Sequence, residues 1–382
     1  MLDAKYPAIS DLRARAQARV PRFVWDYLDS ATGVEAVQRR NRAALDRVGF
    51  MPSILHGPIE IDTSVDFLGQ RYPMPVGMAP VGMSGLIWPG AERMLAAGAA
   101  RLGIPYGIST VAAAAPEDLS NDINGSAWFQ MYPPKHASIR TDMLERAKRA
   151  GFDTLVLTVD VPVASRRERQ TRSGLTSPPR LTPRLMAQVA MRPAWALATA
   201  RAGMPRMRML DAYTPDTKRA MSPTAHAGYM LRTSPDWSYV DALRAEWDKA
   251  FIIKGVMRGT DAKRLEECGV DAVWVSTHAG RQFDGGPGAI EVLPEVRDTT
   301  SLPLVFDSGV EGGLDVLRAL ALGADFVMLG RAWHYAVAAL GAAGIDHLGH
   351  ILRADLKAQM GHLGMTDLSA LPEPIVLSEA GG

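Results

Sequence analysis

One histidine, one lysine, three arginines and two aspartates of this 382-residue chain share one kind of position. Each stands in, or just beyond, a short apolar, β-prone run. Asp160 follows Thr154-LVLTV, with Arg167 after it, and Lys254 lies within Phe251-IIKGV. His278 and Arg281 follow Ala272-VWVST, Asp307 follows Leu304-VF, and Arg331 follows Phe326-VMLG. A guanidinium is a planar fork that binds a carboxylate through two parallel hydrogen bonds, so Arg167 and Arg281 suit a carboxylate substrate. Arg331 beside Gly330 at a strand–helix turn suits a phosphate. The turn Asp307-SGVEGG, leading into Leu314-DVLRALAL, offers backbone N–H groups at a helix N-terminus, a second phosphate cradle. His278 can accept a proton if a carboxylate such as Asp160 holds its ring and stabilises the imidazolium. Lys254 would stabilise an anion that develops on a cofactor. Singly, a strand-end Asp is often a helix cap and a lone His is more often structural. Together the set points to oxidation next to a carboxylate, with a cofactor anchored by its phosphate.

These residues need a scaffold that brings strand ends together, and the repeat pattern predicts one. Four segments, Gly103-IPYGIST, Gly151-FDTLVLTVD, Gly269-VDAVWVSTH and Gly323-ADFVMLGR, follow Ala/Leu/Arg-rich stretches at helical spacing. Each glycine reads as the left-handed cap of a helix, and the run after it as a strand buried on both faces. With similar runs, eight strands are expected: Val76–Gly82, Tyr106–Thr110, Ala127–Tyr132, Thr154–Asp160, Phe251–Val256, Ala272–Thr277, Leu304–Ser308 and Phe326–Gly330. Eight parallel strands with intervening helices make an α/β TIM (β/α)8 barrel, whose active site belongs at the C-terminal strand ends. A doubly wound open sheet would call for a G-x-G-x-x-G turn after the first strand, and Ala79-PVGMSG matches that poorly. The whole chain, 1–382, reads as one such domain. Residues 1–60 form a helical preface, with Pro21 as a first helical residue before Arg22-FVWDYL and an amphipathic stretch over Val34–Arg47.

Residues 161–250 are too long for an ordinary strand–helix connection. Within 174–234, nine Lys/Arg stand against two Asp/Glu, a net +7, so the rest of this +1 chain carries −6. Seven Met and seven Pro share that stretch. Two readings stay open: a peripheral contact with an anionic membrane surface, or an excursion packed over the barrel mouth or a neighbouring subunit. Composition excludes other classes. With 47% apolar and 22% charged residues the chain is neither disordered nor a coiled coil. A lone cysteine, Cys268, makes neither an internal disulfide nor a Cys-based zinc site, and no metal is expected. The start, MLDAKYPAIS, has no apolar core of a secretory signal, and no apolar run reaches membrane-spanning length. A cytoplasmic location, with a peripheral place on the membrane's inner face as a variant, is the expectation. The near-zero net charge and the lack of aromatic interleaving argue against nucleic acid.

Longer strings carry a resemblance. Trp25-DYLDSATG, Met78-APVGM, Phe129-QMY, Leu157-TVDVP with Arg166-RER, Ile253-KGV, Val275-STHAGRQFDG, Phe306-DSGV and Ala319-LALGADFVMLGRA together resemble the FMN-dependent L-2-hydroxy acid oxidases and dehydrogenases. That family includes glycolate oxidase, flavocytochrome b2 and bacterial L-lactate and mandelate dehydrogenases. The resemblance implies FMN as cofactor, a 2-hydroxy acid as substrate, His278 as catalytic base and Asp160 as its partner. It implies that Arg281 and Arg167 hold the substrate carboxylate and that Tyr27 and Tyr132 contact the substrate. Lys254 matches a lysine near flavin N1 and O2. Pro80, Val81, Gly82, Ser109, Gln130, Thr158 and Ser276 match contacts to the ring or ribityl chain, and Asp307, Ser308, Gly309, Gly330 and Arg331 match ribityl and phosphate contacts.

Departures accompany it. Thr277 and Ala279 replace the usual Asn and Gly around the base, and Glu311 replaces an arginine near the phosphate, which implies weaker FMN retention. Val111 and Ala164 replace larger residues at positions expected to face the substrate side chain, which implies an aryl or long-chain acid. Pro193-AWALATARAGMP resembles membrane-associated members, which favours a quinone or other respiratory acceptor over dioxygen. A peroxide-releasing oxidase, an FMN-barrel isomerase and a non-catalytic relative are the alternatives, and a homotetramer is the family expectation.

Overall fold

The computed structural model describes residues 2–123, 125–176, 182–213 and 231–377. Eight parallel strands close a barrel: β1 (Val76–Met78), β2 (Tyr106–Ser109), β3 (Ala127–Met131), β4 (Thr154–Thr158), β5 (Ala250–Val256), β6 (Ala272–Val275), β7 (Leu304–Phe306) and β8 (Phe326–Leu329). Neighbours pair in chain order and β8 returns to β1, with Val327 beside Val76. The expected TIM barrel is therefore present. Nearly every strand residue is buried, because one face points into the barrel and the other against the helical ring. Gly103, Gly151, Gly269 and Gly323 all have positive φ, as the repeated helix–glycine–strand pattern requires.

Most strands stop one to four residues short of the expected ends. β1 ends at Met78 rather than Gly82, since Pro80 has no N–H to give the ladder and the segment 79–83 turns along the barrel mouth. β4 ends at Thr158, leaving Asp160 outside the ladder. A register shift between Lys254 and Val256 places Gly255 at φ +104°, and a Cβ there would lie 2.5 Å from the Cβ of Asp160. The bulge thus lets the Asp160 loop settle directly on β5.

At the opposite end, the antiparallel hairpin Val65–Phe67/Gln70–Tyr72 plugs the barrel. Phe67 stacks on Phe326 at 4.9 Å, and the pair packs with Trp128 and Trp274 in the interior layer. The preface forms helices Ile9–Arg19, Arg22–Asp29 and Ala36–Asp46. Pro21 sits one position earlier than expected, as the N-cap, and the helical part ends at Asp46 rather than near residue 60. Val48–Gly49 instead pairs antiparallel with Ile375–Val376.

Within the long excursion, helices Pro183–Ala190 and Pro193–Ala202 pack on the preface. Trp195 is buried, meets Phe23 edge-to-face at 5.8 Å and donates from Nε1 to the Leu86 carbonyl. The chain at 204–211 then runs along the mouth of the barrel. Among the described residues, no helix is long and apolar enough to cross a membrane.

Candidate active site

Asp160 and His278 meet at the mouth. Nδ1 of His278 lies 3.1 Å from both carboxylate oxygens of Asp160. The approach depends on an unusual backbone: His278, Ala279 and Gly280 all have positive φ, at +52°, +53° and +76°. This left-handed run is fastened on several sides. The His278 N–H donates to Ser276 Oγ at 3.0 Å, and the Thr277 and Ala279 N–H groups donate to Ser308 Oγ at 3.2 Å. Thr277 accepts a 2.8 Å bond from Asn41 Nδ2 through its own hydroxyl. Burial lowers the His278 pKa below its ordinary value; Asp160 pulls it back, while Lys254 and Arg167 push it further down. Burial opposes the charge on Asp160, but His278 and then Lys254 outweigh it and hold the carboxyl below its ordinary value. The outcome is an ionised Asp160 accepting from Nδ1 and a neutral ring whose Nε2 can accept a proton.

Lys254 is buried and reaches two partners, Ser276 Oγ at 2.6 Å and Asp307 Oδ2 at 3.0 Å. Behind the wall, Ser109 Oγ donates to Gln130 Oε1 at 2.7 Å and Gln130 Nε2 donates to Thr158 Oγ1 at 2.9 Å. These links, together with Asp160 and Ser276, stand one layer behind the cavity surface. The other predicted site residues line the cavity itself: Tyr27, Pro80, Val81, Gly82, Tyr132, Arg167, Lys254, His278, Arg281, Asp307, Ser308, Gly309, Gly330 and Arg331. The cavity measures about 1070 Å³.

Several of these side chains are held from below. Arg281 donates to the Ser30 carbonyl at 2.7 Å and lies over the Tyr27 ring, and Tyr27 donates to the Gly82 carbonyl at 2.7 Å. Arg167, at φ +47°, donates from Nε to Ser165 Oγ at 3.1 Å. Val111 lines the cavity against Gly82, where an added Cβ would meet it at 2.6 Å. Ala164, expected beside it, is exposed and lies outside the cavity lining, so Val111 alone supports the idea of extra room.

Other participants were not singled out in the sequence. Arg42, on helix Ala36–Asp46, donates to the Gly309 carbonyl at 2.9 Å and bridges Asp315 and Asp46. Arg42 and Glu311 both line the cavity beside the Gly309 turn. His334 Nδ1 lies 2.8 Å from the Gly330 carbonyl and its Nε2 lies 2.7 Å from Ser84 Oγ, fastening the β8 turn to the β1 turn. Burial drives the His334 pKa down to about 4, so this link is made by a neutral ring. Glu92, fully buried, accepts from the N–H groups of Gly85 and Ala113 and ties the loops after β1 and β2 together. Met204, Met207 and Leu210 wall the mouth, so one of the two readings of the basic excursion, a cover over the barrel, holds for 204–211. Much of the rest of the 174–234 stretch, 177–181 and 214–230, lies outside the described residues.

A barrel with a carboxylate-held imidazole, two guanidiniums and a buried ammonium at its mouth, and a glycine–arginine turn opening a helix, defines a class: enzymes that oxidise a carboxylate-bearing alcohol with a phosphate-anchored cofactor. The chain belongs to the FMN-dependent dehydrogenase family, whose family model matches residues 16–377. It is 34% identical over 375 residues to the L-lactate dehydrogenase of Ectopseudomonas mendocina (strain ymp), covering 97% of this chain and 99% of that one. The crystal structure of the monotopic membrane protein (S)-mandelate dehydrogenase superposes with a TM-score of 0.89 at 32% identity, over 96% and 97% of the two chains. Mandelate oxidase with (S)-2-phenylpropionate superposes with a TM-score of 0.81 at 29% identity, over 98% and 100%. The protein is an FMN-dependent 2-hydroxy acid dehydrogenase.

The residues present fit FMN. The cavity has room for a flavin with a substrate beside it. A buried ammonium faces it from β5, and Gly330 and Arg331 open helix Arg331–Leu340 at its far end. Glu311, on the turn after Gly309, also lines the cavity and is of the wrong sign for a phosphate.

Proposed function

We propose that this enzyme oxidises an L-2-hydroxy acid with a side chain larger than that of glycolate to the 2-oxo acid, and that its electrons go to a quinone or another respiratory acceptor. The observation that carries the first half is His278, held from behind by Asp160, facing the same cavity as Arg167 and Arg281. FMN, when bound, supplies the two-electron acceptor. Lys254, Gly330 and Arg331 would hold it, with Gly309 and the Asp307 turn beside them. Arg167 and Arg281 clamp the substrate carboxylate and fix the orientation of the α-carbon, an effect that contributes a large share of the rate. Tyr27 and Tyr132 close around the hydroxyl end. His278 takes a proton at Nε2 while Asp160 stabilises the imidazolium, and the Lys254 ammonium favours negative charge beside it. Anaerobic mixing of the yellow holoenzyme with a panel of L-2-hydroxy acids tests this. Bleaching of the flavin by bulky members ahead of glycolate supports the reading, and bleaching best with glycolate counts against it.

Glu311 bears on cofactor retention. A carboxylate at the phosphate end repels the phosphate, leaving Arg331, Arg42 and the helix N-terminus to offset it. Replacing Glu311 by Arg is expected to tighten FMN binding by about tenfold, the scale of one charge-assisted hydrogen bond. Fluorescence titration of apoprotein with FMN reads this directly, and an unchanged Kd overturns it.

The acceptor half rests on the excursion. Met186, Met191, Leu197 and Met204 are all more than half exposed, amid exposed Arg184, Arg201, Arg206 and Arg208. Apolar side chains among arginines suit the interface of an anionic bilayer. Met204 also lies on the cavity rim, so this reading puts the site's opening at the lipid surface, where a quinone is dissolved. In sedimentation assays the holoenzyme is expected to bind vesicles containing anionic lipid. A Met186→Ser/Met191→Ser/Leu197→Ser variant should bind at least about tenfold more weakly, given the apolar area removed. Equal binding by both proteins would remove the membrane contact from the proposal. The alternative, an oxidase, is favoured by the similarity to mandelate oxidase. Comparing reoxidation of the reduced enzyme by oxygen and by a quinone analogue separates the two.

A further inference from the structure

The ammonium that reaches the cavity from β5 rests on an aromatic floor. Lys254 and Trp274 are direct partners in the ladder between β5 and β6. Lys254 Nζ lies 4.8 Å from the centre of the Trp274 ring, within the range of a cation–π contact. Trp274 is fully buried and meets Trp128 edge-to-face at 6.2 Å, in the interior layer that Phe326 completes, so its ring has little room to turn. Ser276 stands two residues further along and shares the same side of the chain, where its Oγ meets Nζ at 2.6 Å. Asp307 Oδ2 approaches from the end of β7 at 3.0 Å. Lys254 is thus held by a hydroxyl, a carboxylate and a π face, and its side chain still lines the cavity.

Packing alone does not account for the indole. Its Nε1 is buried, and among the described residues no acceptor meets it. An aliphatic side chain would fill the layer without leaving a donor unpaired. What the indole supplies, and an aliphatic chain cannot, is a wide, electron-rich face. A second carboxylate would also hold the ammonium, but it would offset the positive charge, as Asp307 already does in part. The π face attracts the cation and brings no formal charge of its own, so more of the positive potential survives at the cavity surface. We infer that Trp274 is a positioning residue for the reaction. It holds the Lys254 ammonium at the cavity wall and thereby favours the reduced cofactor, which carries the added negative charge. This rests on the reading given above that Lys254 faces FMN, and adds what sets that lysine in place.

Spectroelectrochemical titration of the FMN-loaded enzyme reads this without turnover. Loss of the aromatic floor destabilises the reduced form, so the midpoint potential should fall. For Trp274→Leu the expected fall is about 30 mV, a tenfold loss of preference for reduced over oxidised FMN in a two-electron couple. Trp274→Phe keeps a weaker π face and should shift the potential about half as far. Fluorescence titration of apoprotein should show little change in the Kd of oxidised FMN, and KM should hold because Arg167 and Arg281 clamp the substrate. In a Lys254→Met background neither substitution should move the potential further, since the pair is already broken. If Trp274→Leu does not fold, Trp274→Phe on the two backgrounds makes the same comparison. An unaltered potential in the folded Trp274 variants, or equal shifts with and without Lys254, overturns this inference and leaves Lys254 beside the cofactor. A Lys254→Met potential equal to that of the wild type overturns both.

Discussion

Replacing His278 by Gln should leave a folded, yellow protein whose flavin is reduced by its best substrate about a hundred- to ten-thousand-fold more slowly, the range associated with a lost general base. Glutamine preserves much of the polar volume but offers no nitrogen that accepts and keeps a proton at neutral pH. The backbone bonds that hold the loop, from 278 N–H to Ser276 and from Thr277 and Ala279 to Ser308, do not involve the ring, so the fold and the cavity should survive. The pH profile adds a signature that a structural defect would not produce. Burial lowers the pKa of His278 below its ordinary value of 6.5. The base works only when unprotonated, so kcat/KM of the wild type should be level at neutral pH and fall as pH drops through that lowered pKa. The Gln variant should lack this acid limb. Stopped-flow reduction across pH 4.5 to 8 checks both points, and near-normal reduction by His278→Gln would end the assignment.

The second large effect concerns the residue that never touches the cavity. Both oxygens of Asp160 lie 3.1 Å from Nδ1, so an amide in its place brings an N–H donor against that nitrogen whichever way it is turned, or swings away and lets the ring go. Either outcome costs orientation, and the negative charge that stabilises the imidazolium is lost as well. Asp160→Asn is expected to slow reduction by about a hundredfold or more, within the general-base range. The direction of the pH shift separates this from simple damage. Asp160 raises the pKa of His278 against the pull of burial, so without it the acid limb should move to lower pH even as the plateau falls. A plateau within threefold of wild type would show that Asp160 is dispensable.

The barrel was legible because its signals are local: a glycine that closes each helix and an apolar run after it. The strand ends were overestimated for a physical reason. Composition does not mark the point where a chain leaves its ladder, and here that point is set by what the mouth requires, as with Pro80 and the Gly255 bulge. The polar residues at those ends were legible for the same reason, since the fold alone sends them to one place. Arg42 and Arg232 were not. Arg42 meets the Gly309 turn across 267 residues of sequence, and helical periodicity says only that a face is polar, not what it faces. Arg232 lines the cavity but depends on an isolated bridge to Pro134 within a stretch rich in Pro and Met. The small residue Ala164 failed as a guide to pocket size because its loop departs from the wall. The basic excursion proved to be divided: 204–211 covers the mouth while the two helices before it keep apolar side chains in solvent.

The left-handed turn that carries His278 has a consequence for timing. Two residues with side chains, His278 and Ala279, sit where L-amino acids are disfavoured by about 1–3 kcal/mol each, and Ala279 does so at the spot where a glycine would sit at ease. That expense is met once, when the chain folds. Afterwards the imidazole is preset, with little freedom to wander between one substrate molecule and the next, so no part of each catalytic cycle goes to finding its aim.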